Sequence, residues 1–254
     1  MKTRATSRPK AWFDDDSFWT LLKPFMFDER KWLGAEQDAP LLEQLLGLEP
    51  GAKVLDLCCG PGRFTLALAR RGFRVTGVDR TRGYLAEARK RARAQKLAVE
   101  LVHSDMRRFS RPGAFDAGIS MFTSFGYFKK PEDDLAVCRN VCKSLRPGGS
   151  FLIQVGGKEW LAREFRPRDW NEFGGNILLE ERTVAPGWTG LDNRWILVSK
   201  GRRHEFRFYL RLYSAAELAG LLKLAGFRRA EVYGDLSGRP YDNTSRWLVA
   251  VGRK

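Results

Sequence analysis

Two acids and a glycine-rich loop early in the chain have the spacing of a cofactor-binding site. Residues 54–62, VLDLCCGPG, read as a buried strand followed by a tight turn, and a helix is predicted to start near Arg63. Glycine has no Cβ, so such a turn lets the backbone approach a ligand, and the first N–H groups of the helix are free to bind it. Asp79 closes the next hydrophobic strand, and an acid about 20 residues after such a loop can accept hydrogen bonds from a ribose. The sequence therefore predicts a nucleoside-containing cofactor.

The loop departs from two common phosphate-binding patterns. Thr65 stands where the dinucleotide-binding fingerprint has its third glycine, and Pro61 lies between the first two glycines. The phosphate loop of nucleoside triphosphatases needs Gly-Lys-Ser/Thr, and no such triplet follows Gly62. Residue types alone leave NAD and FAD open as cofactors, although neither is favoured.

Five segments resemble, in the same order, the motifs of the class I S-adenosylmethionine (SAM) methyltransferases. They are residues 54–64, Val78-Asp79, residues 103–106, residues 115–121 and residues 145–151. Together they cover roughly residues 50–155. The resemblance implies that the cofactor is SAM.

The resemblance also assigns contacts to the cofactor. Asp79 would hold the ribose, and Asp105 would lie near the adenine amino group. The glycine loop would admit the methionine part of SAM, and Ser120 and Met121 would border the sulfonium. Arg80 replaces an apolar residue that often packs on adenine, and arginine can also stack on a ring. The full predicted cofactor-binding set is Asp56, Cys58, Gly60, Gly62, Asp79, Arg80, Asp105, Met106, Ser120 and Met121.

Alternating strands and helices must position these residues. This alternation predicts an α/β fold with a doubly wound, mostly parallel sheet, and the resemblance implies seven strands in a Rossmann-like methyltransferase arrangement. Ligands of such sheets bind beyond the carboxyl ends of the strands. Four of the predicted contacts lie at such ends, independently of the resemblance. These are Asp56, Asp79, Asp105 and Ser120.

The chain is predicted to form one domain with additions at both sides of its core. An aromatic-rich stretch at residues 11–33 either packs on the core or covers the site, and both interpretations stay open. Three strands near residues 177–186, 194–200 and 205–213 predict an antiparallel meander that roofs the site. The predicted segments are a helical cap (1–48), the SAM-binding core (49–156), the meander (157–213), and a helix with a β-hairpin (214–254).

The segment after strand four indicates the kind of methyl acceptor. Residues 121–128, MFTSFGYF, lack the Asn/Asp-Pro-Pro-Tyr/Phe motif of enzymes that methylate exocyclic amines of nucleic acids. They resemble bacterial small-molecule N-methyltransferases, including those that dimethylate amino sugars linked to nucleotides. The implied acceptor is an amine or hydroxyl of a small molecule, with an anionic acceptor as one option. The catalytic candidates are Tyr127, Tyr209, Tyr213 and His204, and the second and third of these are predicted to share a strand face opposite Arg211.

Composition limits the remaining functions. The formal net charge is +15, which can indicate nucleic acid, but the basic residues are dispersed. An RNA or protein methyltransferase therefore stays open as an alternative, and a non-catalytic SAM-binding protein is a third. The four cysteines and two histidines favour core or loop thiols over a metal site. No apolar run approaches the ~20 residues of a membrane span. We expect a cytoplasmic monomer or homodimer.

Overall fold

The computed structural model describes residues 11–254, which form eleven strands and seven α-helices. The basic residues 1–10, the start of the predicted cap segment, lie outside this range. The strands are β1 (Lys53–Leu57), β2 (Arg74–Asp79), β3 (Glu100–His103), β4 (Phe115–Ser120), β5 (Leu145–Gly156), β6 (Arg168–Phe173), β7 (Asn176–Val184), β8 (Gly190–Ser199), β9 (Arg202–Arg211), β10 (Arg229–Tyr233) and β11 (Trp247–Arg253). The helices are α1 (Asp16–Met26), α2 (Glu29–Leu46), α3 (Arg63–Arg70), α4 (Arg82–Ala94), α5 (Pro131–Ser144), α6 (Lys158–Arg163) and α7 (Ala215–Leu224).

Seven strands form a twisted sheet in the order β10-β11-β5-β4-β1-β2-β3. β1 to β5 are parallel, whereas β11 is antiparallel to both β5 and β10. The central strands β1 and β4 are buried along most of their length, as expected of parallel strands covered by helices on both faces. The predicted doubly wound, mostly parallel α/β fold is confirmed.

Side-chain caps fix the two helices of the N-terminal region. Asp15 accepts a hydrogen bond from the Ser17 backbone N–H at 2.9 Å, and α1 begins there. Asp28 accepts from the Lys31 N–H at 3.0 Å and caps α2, which begins at Glu29.

Four strands, not the predicted three, form the antiparallel meander in the order β6-β7-β8-β9. The prediction missed β6 because all but one of its six residues are exposed, so it has no alternating apolar pattern. The short helix α6 was also missed. The inner face of this sheet packs on α1, where Phe18 and Leu22 contact Leu178, Leu197 and Phe208.

The C-terminal elements agree with their prediction. Ser214 and Glu217 form both bonds of a capping box at the start of α7. β10 and β11 pair in antiparallel register and complete the large sheet. Among residues 11–254, no helix is both long enough and apolar enough to cross a bilayer.

Candidate functional site

A cavity of about 340 Å³ opens at the carboxyl ends of β1, β2 and β4. Its floor comes from the loops that follow these strands, one side from the N-terminal region and the roof from β8 and β9. This volume is at the lower end of the range for small-molecule sites, ~300–1,000 Å³. The cavity therefore suits one cofactor-sized ligand.

Asp79, the last residue of β2, presents a carboxylate that the backbone already holds in place. Its Oδ2 accepts from the Gly60 N–H at 2.9 Å and its Oδ1 from the Thr81 N–H at 2.7 Å. Burial raises the pKa of Asp79, although these two N–H groups favour the charged form. The remaining lone pairs are available to ligand hydroxyl groups in the cavity.

Asp105 follows β3 and is held by Arg107. Its Oδ2 accepts from Arg107 Nη2 at 2.6 Å, and its Oδ1 accepts from the backbone N–H of the same arginine at 2.8 Å. Burial acts to raise the pKa of Asp105, but the hydrogen bonds from Arg107 outweigh it and the net pKa is lowered. This carboxylate is therefore ionised and fixed at the edge of the cavity.

Asp56 faces inward and organises the loop. It accepts a 2.6 Å hydrogen bond from the Thr65 hydroxyl on α3, and burial raises its pKa to about 6. Gly60 and Gly62 both adopt positive φ, at 56° and 90°. An added Cβ on Gly60 would lie 3.1 Å from the Phe27 ring, and one on Gly62 would lie 3.1 Å from Ala88. Glycine is thus needed at these positions for close packing of α1 and α4 on the loop.

Three non-glycine residues in the cavity wall have left-handed backbone conformations. Cys58, Phe122 and Thr123 have φ values of 63°, 55° and 56°. Gln154 compensates for the strain in the adjacent pair, because its side-chain oxygen accepts from the Phe122 N–H and its backbone oxygen from the Thr123 N–H. Backbone strain of this kind concentrates at functional sites.

Arg80 ties the N-terminal region to the cofactor loop. Its guanidinium forms an ion pair with Asp14 and donates to the Phe13 carbonyl. Tyr84 adds a second anchor by donating to the Trp19 carbonyl at 2.6 Å. The aromatic stretch therefore lines the cavity and also packs on the core.

Aromatic rings form the wall away from the acids. The Trp12 ring centroid lies 4.8 Å from that of Tyr127 and 5.0 Å from that of Phe208. Burial raises the pKa of the Tyr127 hydroxyl far above its ordinary value. A tyrosine in this state remains protonated at neutral pH and is a poor base.

A second cavity of about 820 Å³ adjoins the first. The two share Trp12, Phe13, Tyr127, Phe128 and Phe208 as their common wall. Charged side chains from the core and from the outer face of β7 to β9 line the rest. Two of these, Lys129 and Lys130, are exposed and have no carboxylate partner within residues 11–254.

The structure brings most of the predicted cofactor residues together. Ser120 is fully buried outside the wall of the first cavity, and Gly62 packs on α4. The eight that line the cavity are Asp56, Cys58, Gly60, Asp79, Arg80, Asp105, Met106 and Met121.

The catalytic candidates are scattered. Only Tyr127 lines both cavities, while Tyr209 lines the second and donates to the Thr189 carbonyl at 3.0 Å. His204 lies within β9 and lines neither.

Tyr213 requires a correction. It was expected on a face opposite Arg211, but β9 ends at Arg211 and the chain turns there. The Tyr213 hydroxyl donates to Asp134 Oδ2 at 2.8 Å, and Arg211 Nε lies 3.3 Å from the same oxygen. Both side chains therefore meet at one buried acid.

Several wall residues had no sequence signal for this role. Phe27 is one of many aromatics near the N-terminus, and Trp195 and Phe208 come from a sheet more than a hundred residues further along the chain. Arg107 could have been found, since a cation two residues after the predicted adenine acid is visible in the sequence.

Fold and site together define a doubly wound α/β protein that binds a nucleoside-containing ligand at its strand ends. The donor and acceptor groups fit SAM, because acids face the cavity where a ribose diol and an adenine amino group need acceptors, and apolar side chains surround them. Within residues 11–254, no group of three or more His, Cys, Asp or Glu side chains is arranged to hold a metal ion.

Comparisons with known proteins find a methyltransferase domain in the core of the chain. A family model described as "Methyltransferase domain" matches residues 54–149. Putative methyltransferase YqeM of Bacillus subtilis (strain 168) is 31% identical over 114 residues, 44% of this chain and 46% of that protein. The chain thus spans less than half of this relative. Residues 54–149 thus match a methyltransferase domain.

Other relatives match over most of their length. Cypemycin N-terminal methyltransferase from a Streptomyces species is 27% identical, covering 79% of this chain and 82% of that protein. The dTDP-3-amino-3,4,6-trideoxy-alpha-D-glucopyranose N,N-dimethyltransferase of Streptomyces venezuelae is 27% identical, covering 74% and 80%. Among solved structures, the CcbJ methyltransferase from Streptomyces caelestis superposes with a TM-score of 0.74 at 23% identity, covering 86% of this chain and 88% of that one. This last likeness supports the fold alone.

Proposed function

We propose that this protein transfers a methyl group from SAM to an amine of a small molecule. Asp79 would accept hydrogen bonds from the ribose hydroxyls, and Asp105 one from the adenine amino group. Met106 and the neighbouring apolar side chains would pack on the adenine. Met121 would lie near the sulfonium.

We choose an amine as the acceptor because, among the described residues, the first cavity contains no side chain that is free to act as a general base. Its three carboxylates are engaged, Asp56 by Thr65, Asp79 by two backbone N–H groups and Asp105 by Arg107. Its two tyrosines, Tyr84 and Tyr127, have strongly raised pKa values because they are buried. A hydroxyl acceptor benefits from a general base, whereas a neutral amine has its own reactive lone pair.

The chain contributes orientation rather than acid–base chemistry. SAM, when bound, supplies a methyl group on a positively charged sulfur that leaves as a neutral thioether. Holding the acceptor nitrogen in line with that methyl is an effect worth roughly 7–11 kcal/mol at best. The faces of Trp12 and Tyr127 are electron-rich, so they favour the positive charge that moves from sulfur to nitrogen. The proton then leaves the nitrogen to water.

The second cavity is the proposed path of the acceptor. It meets the first at Tyr127, and Lys129 and Lys130 at its rim would attract an anionic group on the acceptor. The names of two relatives support an amine as the acceptor, since one acts on an amino sugar linked to dTDP and the other on an N-terminus. We further propose a cytoplasmic location.

The test uses SAM with a labelled methyl group, incubated with the protein and a lysate of its source organism. RNA, protein and small-molecule fractions are then separated. We expect label in the small-molecule fraction. If the amines of that fraction are acetylated before the reaction, no label should be incorporated, and a mock-treated fraction is the control. Label in RNA or protein would overturn the proposal. SAM binding with no label in any fraction would support a non-catalytic SAM-binding protein instead.

A further inference from the structure

Arg107 surrounds the carboxylate of Asp105 with donors. Its backbone N–H lies 2.8 Å from Oδ1 and its Nη2 lies 2.6 Å from Oδ2, while its Nε lies between the two oxygens, 3.1 Å from Oδ1 and 3.2 Å from Oδ2. An ionised carboxylate offers about four lone-pair sites. Three N–H donors spread over both oxygens leave little of that capacity. Because Asp105 lines the first cavity, a bound ligand can use only the capacity that remains.

Arg107 is itself held from several sides, so this geometry is fixed. Its guanidinium carbon lies 4.5 Å from the centre of the Phe128 ring, and Nη1 lies 3.6 Å from Asp133 Oδ2. Asn140 Nδ2 donates to its backbone carbonyl at 2.7 Å. Asp133 and the Phe128 ring therefore hold the guanidinium beside Asp105, and Asn140 fixes the backbone that carries it.

We propose that Arg107 is a positioning residue for cofactor specificity, which makes Asp105 a reader of one amino group. The proposal rests on the function proposed above. Because three N–H donors of Arg107 hold both of its oxygens, Asp105 cannot rotate to suit a different ligand edge. A group at position 6 of the purine must donate to one of these fixed oxygens. An amino group can do so, while a carbonyl oxygen at the same position would face the carboxylate as a second acceptor and be repelled.

The experiment compares two ligands that differ at this group, S-adenosyl-L-homocysteine and S-inosyl-L-homocysteine. Dissociation constants are measured by calorimetry for the wild type and for Arg107→Lys, which keeps the charge and loses the two-pronged hydrogen bond. The wild type should prefer the adenosyl ligand by about tenfold or more, the value of one charge-assisted hydrogen bond. In Arg107→Lys this preference should fall to about threefold or less, through weaker adenosyl binding.

Arg111→Lys is the matched control. Arg111 forms a similar two-pronged pair with Glu100, at 2.6 Å for both bonds, and lines neither cavity. It should leave both dissociation constants unchanged. If Arg107→Lys fails to fold, Asp133→Asn loosens the guanidinium from its other side and should shift the preference in the same direction.

The outcomes separate this inference from the proposed function. Equal weakening of both ligands in Arg107→Lys would mean a general structural role and would overturn the inference. An unchanged preference would overturn it as well. A wild-type protein that binds neither ligand would instead contradict the proposed function.

Discussion

Asp79 and Asp105 differ in how much of each carboxylate remains for a ligand. Asp79 receives one backbone N–H on each oxygen, which leaves both oxygens able to accept from a diol. Arg107 engages both oxygens of Asp105, so this carboxylate keeps less capacity for a ligand than Asp79 does. A ribose presents two hydroxyls and an adenine edge presents one amino group, so the capacity of each acid matches the part of SAM assigned to it.

Substitution of Asp79 tests the ribose assignment. Asp79→Ala should weaken SAM binding by more than tenfold, because each lost charge-assisted hydrogen bond costs about 1.5–3 kcal/mol. The dissociation constant is measured by calorimetry. Asp116→Ala is the control. Asp116 also accepts from a backbone N–H, that of Lys53 at 2.7 Å, but it lies near the start of β4, and the cavity is at the other end of that strand. Affinity within about a factor of two of wild type for Asp79→Ala would contradict the assignment.

The buried Asp134 predicts a pH-dependent contribution to stability. Burial raises its pKa to about 6, although Tyr213 and Arg211 partly oppose this shift. Because the pKa of Asp134 is higher in the folded than in the unfolded protein, the protonated carboxyl group stabilises the fold. This stabilisation is fully present below the unfolded-state pKa near 3.8 and is lost as the pH rises through about 6. Urea unfolding of the wild type and Asp134→Asn from pH 4 to 7 should show the wild type losing about 2 kcal/mol relative to the variant. A pH-independent difference would argue against a titrating Asp134.

At the scale of elements, the N-terminal helices depend on polar anchors as well as on apolar contact. α1 packs under the meander through Phe18 and Leu22. The Arg80–Asp14 ion pair and the Tyr84–Trp19 hydrogen bond fasten the segment to the residue after Asp79 and to α4. The segment forms one side of the cofactor cavity.

Loss of the Arg80 anchor should loosen the cap without unfolding the core. Arg80→Ala should increase hydrogen exchange across residues 12–26, while the strands of the large sheet keep their protection. Asp14→Asn should give the same change, and because Asp14 lines neither cavity, its effect cannot come from direct ligand contact. Arg82→Ala, at the exposed start of α4, is the control. Unchanged exchange in both anchor variants would contradict this account.

Sequence patterns predicted the core elements better than the additions. β1 and α5 have strong local signals in the sequence. β1 is an apolar run between turn residues, and α5 has a proline at its first helical position. β6 was missed because its residues have no alternating apolar pattern, and only its pairing with β7 places it in a sheet. The acids were found because strand ends in a parallel sheet share one edge. Phe27, Trp195 and Phe208 were not, since only tertiary packing brings them to that edge.

At the scale of the whole molecule, the net charge of +15 does not gather at the cofactor site. Many basic side chains pair with acids on the surface, as Arg194 does with both Glu181 and Glu205. Lys129 and Lys130, which have no carboxylate partner within residues 11–254, stand out because they border the second cavity. The position of these two lysines, rather than the total charge of the protein, is what would attract an anionic acceptor.

Charge reversal at this rim tests the anionic acceptor. Lys129→Glu/Lys130→Glu should raise KM for the acceptor found by labelling about tenfold, with kcat and the KM for SAM unchanged, because long-range attraction is lost while the reacting geometry is kept. The wild-type KM should rise with ionic strength, and that of the variant should not. Lys143→Glu changes the charge on the far end of α5 and should have no such effect. An unaltered acceptor KM in the double variant would indicate an uncharged acceptor.

The aromatic wall has an optical consequence. Three of the eight tryptophans, Trp12, Trp19 and Trp195, line the first cavity. Indole emission depends on the polarity and the rings around it, and a purine placed against these side chains would alter all three at once. The protein therefore carries its own fluorescent reporter, with which the arrival and departure of the nucleoside can be timed in a stopped-flow instrument without any label.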